Sequence, residues 1–182
     1  MSKVVLVTGG SRSGKSSFAE NLLKDTDDVL YIATAIVTDG EMKDRIKKHR
    51  ESRNAKWETY EGFKDLDKVV EKCSHKNIML DCVTVMITNL MFEENKDFDN
   101  MSMEEVDELL IYIKDQFNKF INKAKEKNIN LVMVTNEVGS GLVPEYKLSR
   151  IFRDIAGFTN QFIAKKSTEV YFTACGLPLK LK

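Results

Sequence analysis

Short apolar runs alternate along the chain with longer stretches whose apolar residues recur every third or fourth position. Val4-Val5-Leu6-Val7, Val29 to Thr34, Ile78-Met79-Leu80, Leu131-Val132-Met133-Val134 and Val170-Tyr171-Phe172 are short and mostly apolar, and read as buried strands. Trp57 to Tyr60 and Leu179 to Leu181 read as two more. Met103 to Lys127 gives the clearest helix, because Val106, Leu109, Leu110, Ile113, Phe117, Phe120, Ile121 and Ala124 fall on one face. A second amphipathic helix carries Leu148, Ile151, Phe152, Ile155, Phe162 and Ile163. Further helices are expected over Ser17 to Lys24, around Leu66, Val69 and Val70, and from about Val83 to Phe92. Glu41 to Glu51 is highly charged and reads as a short helix or loop–helix.

Strands separated by helices predict a mostly parallel sheet with helices on both faces. Ligands of such sheets sit at the carboxyl ends of the strands. That rule gathers Gly9 to Ser16, Ala33 to Ala35, Asp81 and Asn136-Glu137 on one edge of the molecule. The first of these segments, Gly9-Gly10-Ser11-Arg12-Ser13-Gly14-Lys15-Ser16, directly follows the first strand with the spacing G-x-x-x-x-G-K-S, a phosphate-binding P-loop. Its glycines let successive backbone N–H groups converge on one point. Lys15 reaches the terminal phosphates of a nucleotide, and the Ser16 hydroxyl is placed to hold Mg²⁺. The expected fold is therefore α/β: one P-loop NTPase-type nucleotide-binding domain over residues 1–182, with RecA-like strand order and an antiparallel C-terminal edge strand.

Composition narrows the function. The 182 residues are 42% hydrophobic and 31% charged, as in an ordinary soluble domain. Lys plus Arg and Asp plus Glu both number 28, so no net charge draws the chain to nucleic acid or anionic lipid. No apolar run reaches membrane-spanning length, and the first strand begins at once, leaving no room for a signal peptide. Three scattered cysteines, Cys73, Cys82 and Cys175, suggest a reduced, cytoplasmic protein. Cys82 and Cys175 lie in apolar runs and read as buried small hydrophobes.

Asp81 ends an apolar strand, as a metal-directing carboxylate does; a turn aspartate is the alternative, and the upstream P-loop favours the metal role. His49 lies among Arg45, Arg50 and Arg53. Locally it reads best as a solvated residue on a charged helix; the other reading is a nucleophile for phosphorus, with the arginines neutralising the phosphates. Glu137 is a candidate general base. Arg150, Arg153 and Asp154 fit substrate contacts or helix-face ion pairs equally.

Taken in order, Val7 to Ser16, Tyr31 to Ala35, Glu41-Met42, Arg45-Ile46, His49-Arg50, Arg53, Trp57 to Glu61, Leu80 to Thr84, Thr88 to Leu90, Thr135 to Gly139, Phe152 to Gly157 and Asn160-Gln161 resemble the bifunctional adenosylcobinamide kinase/adenosylcobinamide-phosphate guanylyltransferases of cobalamin biosynthesis. The resemblance implies that ATP or GTP phosphorylates adenosylcobinamide. GMP from GTP then passes through a guanylylated His49 to adenosylcobinamide phosphate, giving adenosylcobinamide-GDP. It implies nucleotide contacts from Gly9, Gly10, Ser11, Arg12, Ser13, Gly14, Lys15, Ser16, Ala33, Thr34, Ala35, Arg50, Glu51, Ser52, Arg53, Glu61 and Asp81. Lys15 and His49 are the catalytic residues, and Ser16 and Asp81 the Mg²⁺ ligands. It also implies a homotrimer. Asn54 and Gly62 stand where the family favours proline, which predicts a looser loop after His49. The competing readings are a monofunctional P-loop kinase of another small molecule and a P-loop ATPase acting as a conformational switch.

Overall fold

The computed structural model describes residues 2–35, 54–94 and 96–182. Seven strands among them form one sheet: β1 (Val4–Gly9), β2 (Val29–Ala33), β3 (Glu58–Glu61), β4 (Asn77–Asp81), β5 (Asn130–Asn136), β6 (Glu169–Ala174) and β7 (Leu177–Lys180). Their order is β3-β2-β4-β5-β1-β6-β7. All pairings are parallel except that of β7 with β6, so the edge strand is antiparallel as expected. One strand, β5, separates the P-loop strand β1 from the Asp81 strand β4, which is the RecA-like arrangement.

The helices are α1 (Lys15–Asn21), α2 (Leu66–Lys72), α3 (Val83–Met91), α4 (Met103–Glu126) and α5 (Lys147–Lys166). Strand side chains alternate between two cores. Val4, Leu6, Leu30, Ile32, Ile78, Leu80, Leu131 and Met133 pack under α2 to α5. Val5, Val7, Val29, Tyr31, Met79, Val132 and Val134 face Ala19, Leu23 and Trp57 on the other side. Among the described residues the helices are thus shared unequally, with α1 on one face and four on the other. The charged helix expected near Glu41 to Glu51 lies outside the described residues.

Local chemistry sets the element ends. Ser102 caps α4: its hydroxyl accepts from Glu105 N at 3.2 Å, and its own N–H reaches the Glu105 carboxylate at 2.7 Å. Trp57 falls just before β3 and not within it, because the indole is buried and donates to the Thr26 carbonyl at 3.0 Å. Cys82 is buried, but Cys175 is exposed, against expectation. The Ala174↔Leu177 pairing leaves Cys175 and Gly176 as a two-residue turn, with φ of 53° and 78°. A two-residue type I′ hairpin turn needs positive φ at both positions, and here it leaves the Cys175 side chain exposed. Asn54 itself is hydrogen-bonded, its carboxamide donating to Asp27 at 2.9 Å and accepting from Lys56 N at 3.0 Å, while the loop after His49 lies outside the described residues.

At the amino ends of the strands, His75 lies between two carboxylates, with Nδ1 3.0 Å from Asp28 and Nε2 2.8 Å from Glu58. Glu58 first, and Asp28 after opposing desolvation, raise the imidazole above its ordinary value. A raised folded-state pKa stabilises fully below the unfolded value, about 6.5, and this stabilisation is lost as pH climbs through the folded value. His75→Gln is therefore expected to cost about 1 kcal/mol near pH 5.5 and clearly less near pH 9. Urea unfolding of both proteins at the two pH values checks this, and equal losses would show that the charge contributes nothing.

Candidate active site

The P-loop leaves β1 at Gly9 and returns to regular structure at Lys15, the first residue of α1. Crowding fixes two of its three glycines, Gly9 and Gly14. A Cβ on Gly9 would collide with the Thr173 carbonyl oxygen and lie 2.6 Å from Ser13 Oγ. Gly14 has φ +91°, and a Cβ there would lie 2.9 Å from Gly176 Cα. Gly176 N also donates to the Ser13 carbonyl at 2.9 Å. The β6–β7 turn is therefore pressed against the phosphate loop, a contact between residues far apart in sequence. The only sequence hint was a Cys-Gly pair between two strands. Gly14→Ala meets both a disfavoured φ and an immovable backbone atom. It is expected to weaken nucleotide binding at least about tenfold, since a strain of 1–3 kcal/mol must be relieved by distorting the loop. Gly157→Ala, with nothing within 4 Å of the added carbon, is the silent control. Equal nucleotide titrations for the two variants would refute the crowding argument.

Lys15 is 8% exposed, and its Nζ donates to the Gly10 carbonyl at 2.9 Å across the loop. Burial pushes the ammonium below its ordinary value, while Cys82 and Asp81 push it back up. Asp81 and Lys15 thus share the carboxyl edge of the sheet, with β5 between their strands. The Tyr31 hydroxyl donates to Asp81 Oδ2 at 3.1 Å and steadies the carboxylate. Ser11 and Arg12 are exposed at the loop tip; Ser13 is buried, and Ser16 half-buried.

Ala33, Thr34 and Ala35 follow β2 onto the same edge, but Thr34 points inward and is 1% exposed. Its hydroxyl donates to the Cys82 carbonyl and accepts from Cys82 N, both at 2.9 Å. Asn89 Nδ2 donates to the Thr34 carbonyl at 2.6 Å. Thr34 therefore ties the ends of β2 and β4 together. Glu61 pairs with Ala33 at the end of β3 and shares this edge. His49, Arg45, Arg50, Glu51, Ser52 and Arg53 lie outside the described residues.

Glu137 N donates to the Gly9 carbonyl at 2.9 Å, which sets this residue beside the P-loop. Its Oε1 accepts from Gly139 N at 2.6 Å and Ser140 N at 3.1 Å, so the carboxylate closes its own loop. Arg150 donates to the carbonyls of Pro144 and Glu145 and pins the far end of that loop, while Arg153 pairs with Asp154 at 3.5 Å. Sequence reading also missed a polar chain beneath this edge, in which Thr84, Thr135, Asn136 and Asn160 hydrogen-bond in series. Period-3.6 and period-2 patterns register apolar faces and carry no signal for it.

A glycine cradle with a buried lysine, and a strand-end aspartate one strand away on the same edge, defines a P-loop NTPase-type α/β protein. The family described as cobinamide kinase / cobinamide phosphate guanyltransferase matches residues 5–181, and the chain belongs to it. It is 41% identical to the bifunctional adenosylcobalamin biosynthesis protein CobU of Escherichia coli (strain K12), over 98% of this chain and 99% of that protein. It is 37% identical to the bifunctional adenosylcobalamin biosynthesis protein CobP of Pseudomonas aeruginosa, over 97% and 96%. Among solved structures, the P4 protein from bacteriophage phi6 in complex with ADP covers 98% of this chain and 54% of its own at 16% identity, with a TM-score of 0.48.

Proposed function

We propose that this protein phosphorylates adenosylcobinamide and then guanylylates the product, with one P-loop holding the nucleotide for both reactions. The observation that carries the reading is the buried Lys15 of the cradle with Asp81 at the same sheet edge, in a chain matched by the bifunctional family from residue 5 to residue 181.

In the first reaction the corrinoid hydroxyl attacks the γ-phosphorus of ATP or GTP. The new O–P bond forms as the bond to the β–γ bridging oxygen breaks, and the nucleoside diphosphate leaves. P-loop amides and Lys15 would stabilise the charge on the transferring group. Ser16 and Asp81 offer one hydroxyl and one carboxylate, a sparse set that suits a Mg²⁺ keeping its waters and binding mostly to phosphate. When bound, Mg²⁺ would neutralise charge on the β- and γ-phosphates.

In the second reaction an imidazole nitrogen of His49 attacks the α-phosphorus of GTP and expels pyrophosphate. The phosphate of adenosylcobinamide phosphate then attacks the same phosphorus, the P–N bond breaks, and imidazole is restored. Support for His49 comes from the other histidine: His75 lies at the opposite end of the strands, with both ring nitrogens engaged by carboxylates. Gly10 to Gly14 would line the phosphates, and Ala33 to Ala35, Arg50 to Arg53 and Glu61 the rest of the nucleotide. A cytoplasmic homotrimer completes the reading, on the resemblance alone. The test is incubation with α-labelled GTP and Mg²⁺ followed by denaturation. A label that survives base and is lost in acid marks the expected phosphoramidate, and an unlabelled chain would end the guanylyltransferase half.

A further inference from the structure

The end of β5 holds an asparagine whose hydrogen bonds are almost fully allotted. Asn136 pairs in register with Gly9, the first P-loop glycine, and lies two residues beyond Val134, the partner of Asp81. It therefore stands between the cradle and the aspartate, about 6–7 Å further out than Asp81 along the strand direction. It is half-buried.

Three of its four polar atoms are taken. Its backbone N–H and its Nδ2 both donate to Thr84 Oγ1, at 3.3 and 2.9 Å. Its carbonyl accepts from Asn160 Nδ2 at 3.2 Å, and Asn160 Oδ1 in turn accepts the Thr135 hydroxyl at 2.7 Å. Thr84 is 3% exposed and is filled by the same arrangement. A hydroxyl has two acceptor positions and one proton. With Nδ2 on Thr84, both acceptor positions go to Asn136, and Cys82 Sγ lies 3.3 Å from the same hydroxyl. In this orientation Oδ1 is the carboxamide's one polar atom with no protein partner among the described residues.

The identity of that atom decides what it can bind. A free amide N–H at this place would grip a phosphate oxygen. A free amide oxygen is an acceptor; it repels phosphate oxygens and takes a hydroxyl proton. We propose that Asn136 Oδ1 accepts the hydrogen bond of the alcohol being phosphorylated and aligns its oxygen with the γ-phosphorus, and that Thr84 is the positioning residue that holds Asn136 in that orientation. The inference rests on the kinase reading above. Asn136 is too weak a base to remove the proton. The alcohol oxygen bonds to phosphorus, the nucleoside diphosphate leaves with the electron pair of the broken P–O bond, and the hydroxyl proton passes to water once the new bond exists. The guanylylation of histidine uses no alcohol and does not need this group.

Asn136→Ala, Thr84→Val and Thr84→Ser are compared with the unaltered protein in three assays: phosphate transfer to cobinamide, nucleotide KM, and the initial rate of covalent labelling by α-labelled GTP. Asn136→Ala is expected to lower kcat for phosphate transfer about 100-fold, the effect of a misaligned nucleophile. Nucleotide KM and the labelling rate should stay within about twofold. Thr84→Val should lower kcat about tenfold, and Thr84→Ser should restore it. A kcat for Asn136→Ala within threefold of the unaltered protein, by the about 100-fold standard set above, overturns the inference. So does a parallel loss of labelling and nucleotide affinity, which would mean that the substitution merely distorts the P-loop. An unaltered protein that transfers no phosphate to cobinamide overturns the kinase reading itself and the inference with it.

Discussion

Lys15→Met is expected to lower phosphate transfer to cobinamide about a thousandfold and to depress covalent guanylylation with it. The substitution keeps the stem and removes the ammonium. Lys15 is almost wholly buried, so its charge acts where water screens it little, and the loss should match that of a preorganised transition-state donor. Stability should move the other way or not at all. Desolvation of this ammonium is unfavourable, as its lowered pKa shows, and methionine fills the same slot without it. A Tm unchanged or raised, together with the loss of both activities, would separate a catalytic role from a structural one. If guanylylation survived at full rate, the two reactions would not share one cradle.

His49→Ala should divide the two reactions. Covalent label from α-labelled GTP is expected to fall at least about a thousandfold, because the one other histidine in the sequence, His75, lies at the opposite end of the strands. Phosphate transfer to cobinamide should stay within about threefold, since a direct displacement at the γ-phosphorus needs no imidazole. His75→Ala should leave the label intact, because His75 is held by Asp28 and Glu58 at the far ends of β3 and β4. Persistent label in His49→Ala would move the nucleophile elsewhere and leave a P-loop kinase with an unrelated attachment site.

The sequence resolved one scale of this molecule well. The P-loop needed only its spacing, because glycine, lysine and serine do their work through local backbone geometry. The long helix at Met103 was readable from eight apolar positions on one face. Asp81 was readable as the polar end of an apolar strand. Cys175 was misread because an apolar neighbourhood says nothing of a two-residue turn until the pairing of β6 with β7 is known. Glu137 looked available as a base, and the fold shows one of its oxygens taken by the N–H groups of Gly139 and Ser140.

What the chain determined by itself is the set of elements and the chemistry of the phosphate loop, since both arise from contacts a few residues apart. The tertiary structure alone decided that Gly176 braces Gly14, that Asp81 and Lys15 share one sheet edge with β5 between their strands, and that Thr84 holds the carboxamide of Asn136 while Asn160 holds its backbone carbonyl. Those contacts join residues 24 to 162 positions apart in the sequence. They follow from strand order, and strand order is set by how the faces pack, which no local spacing encodes.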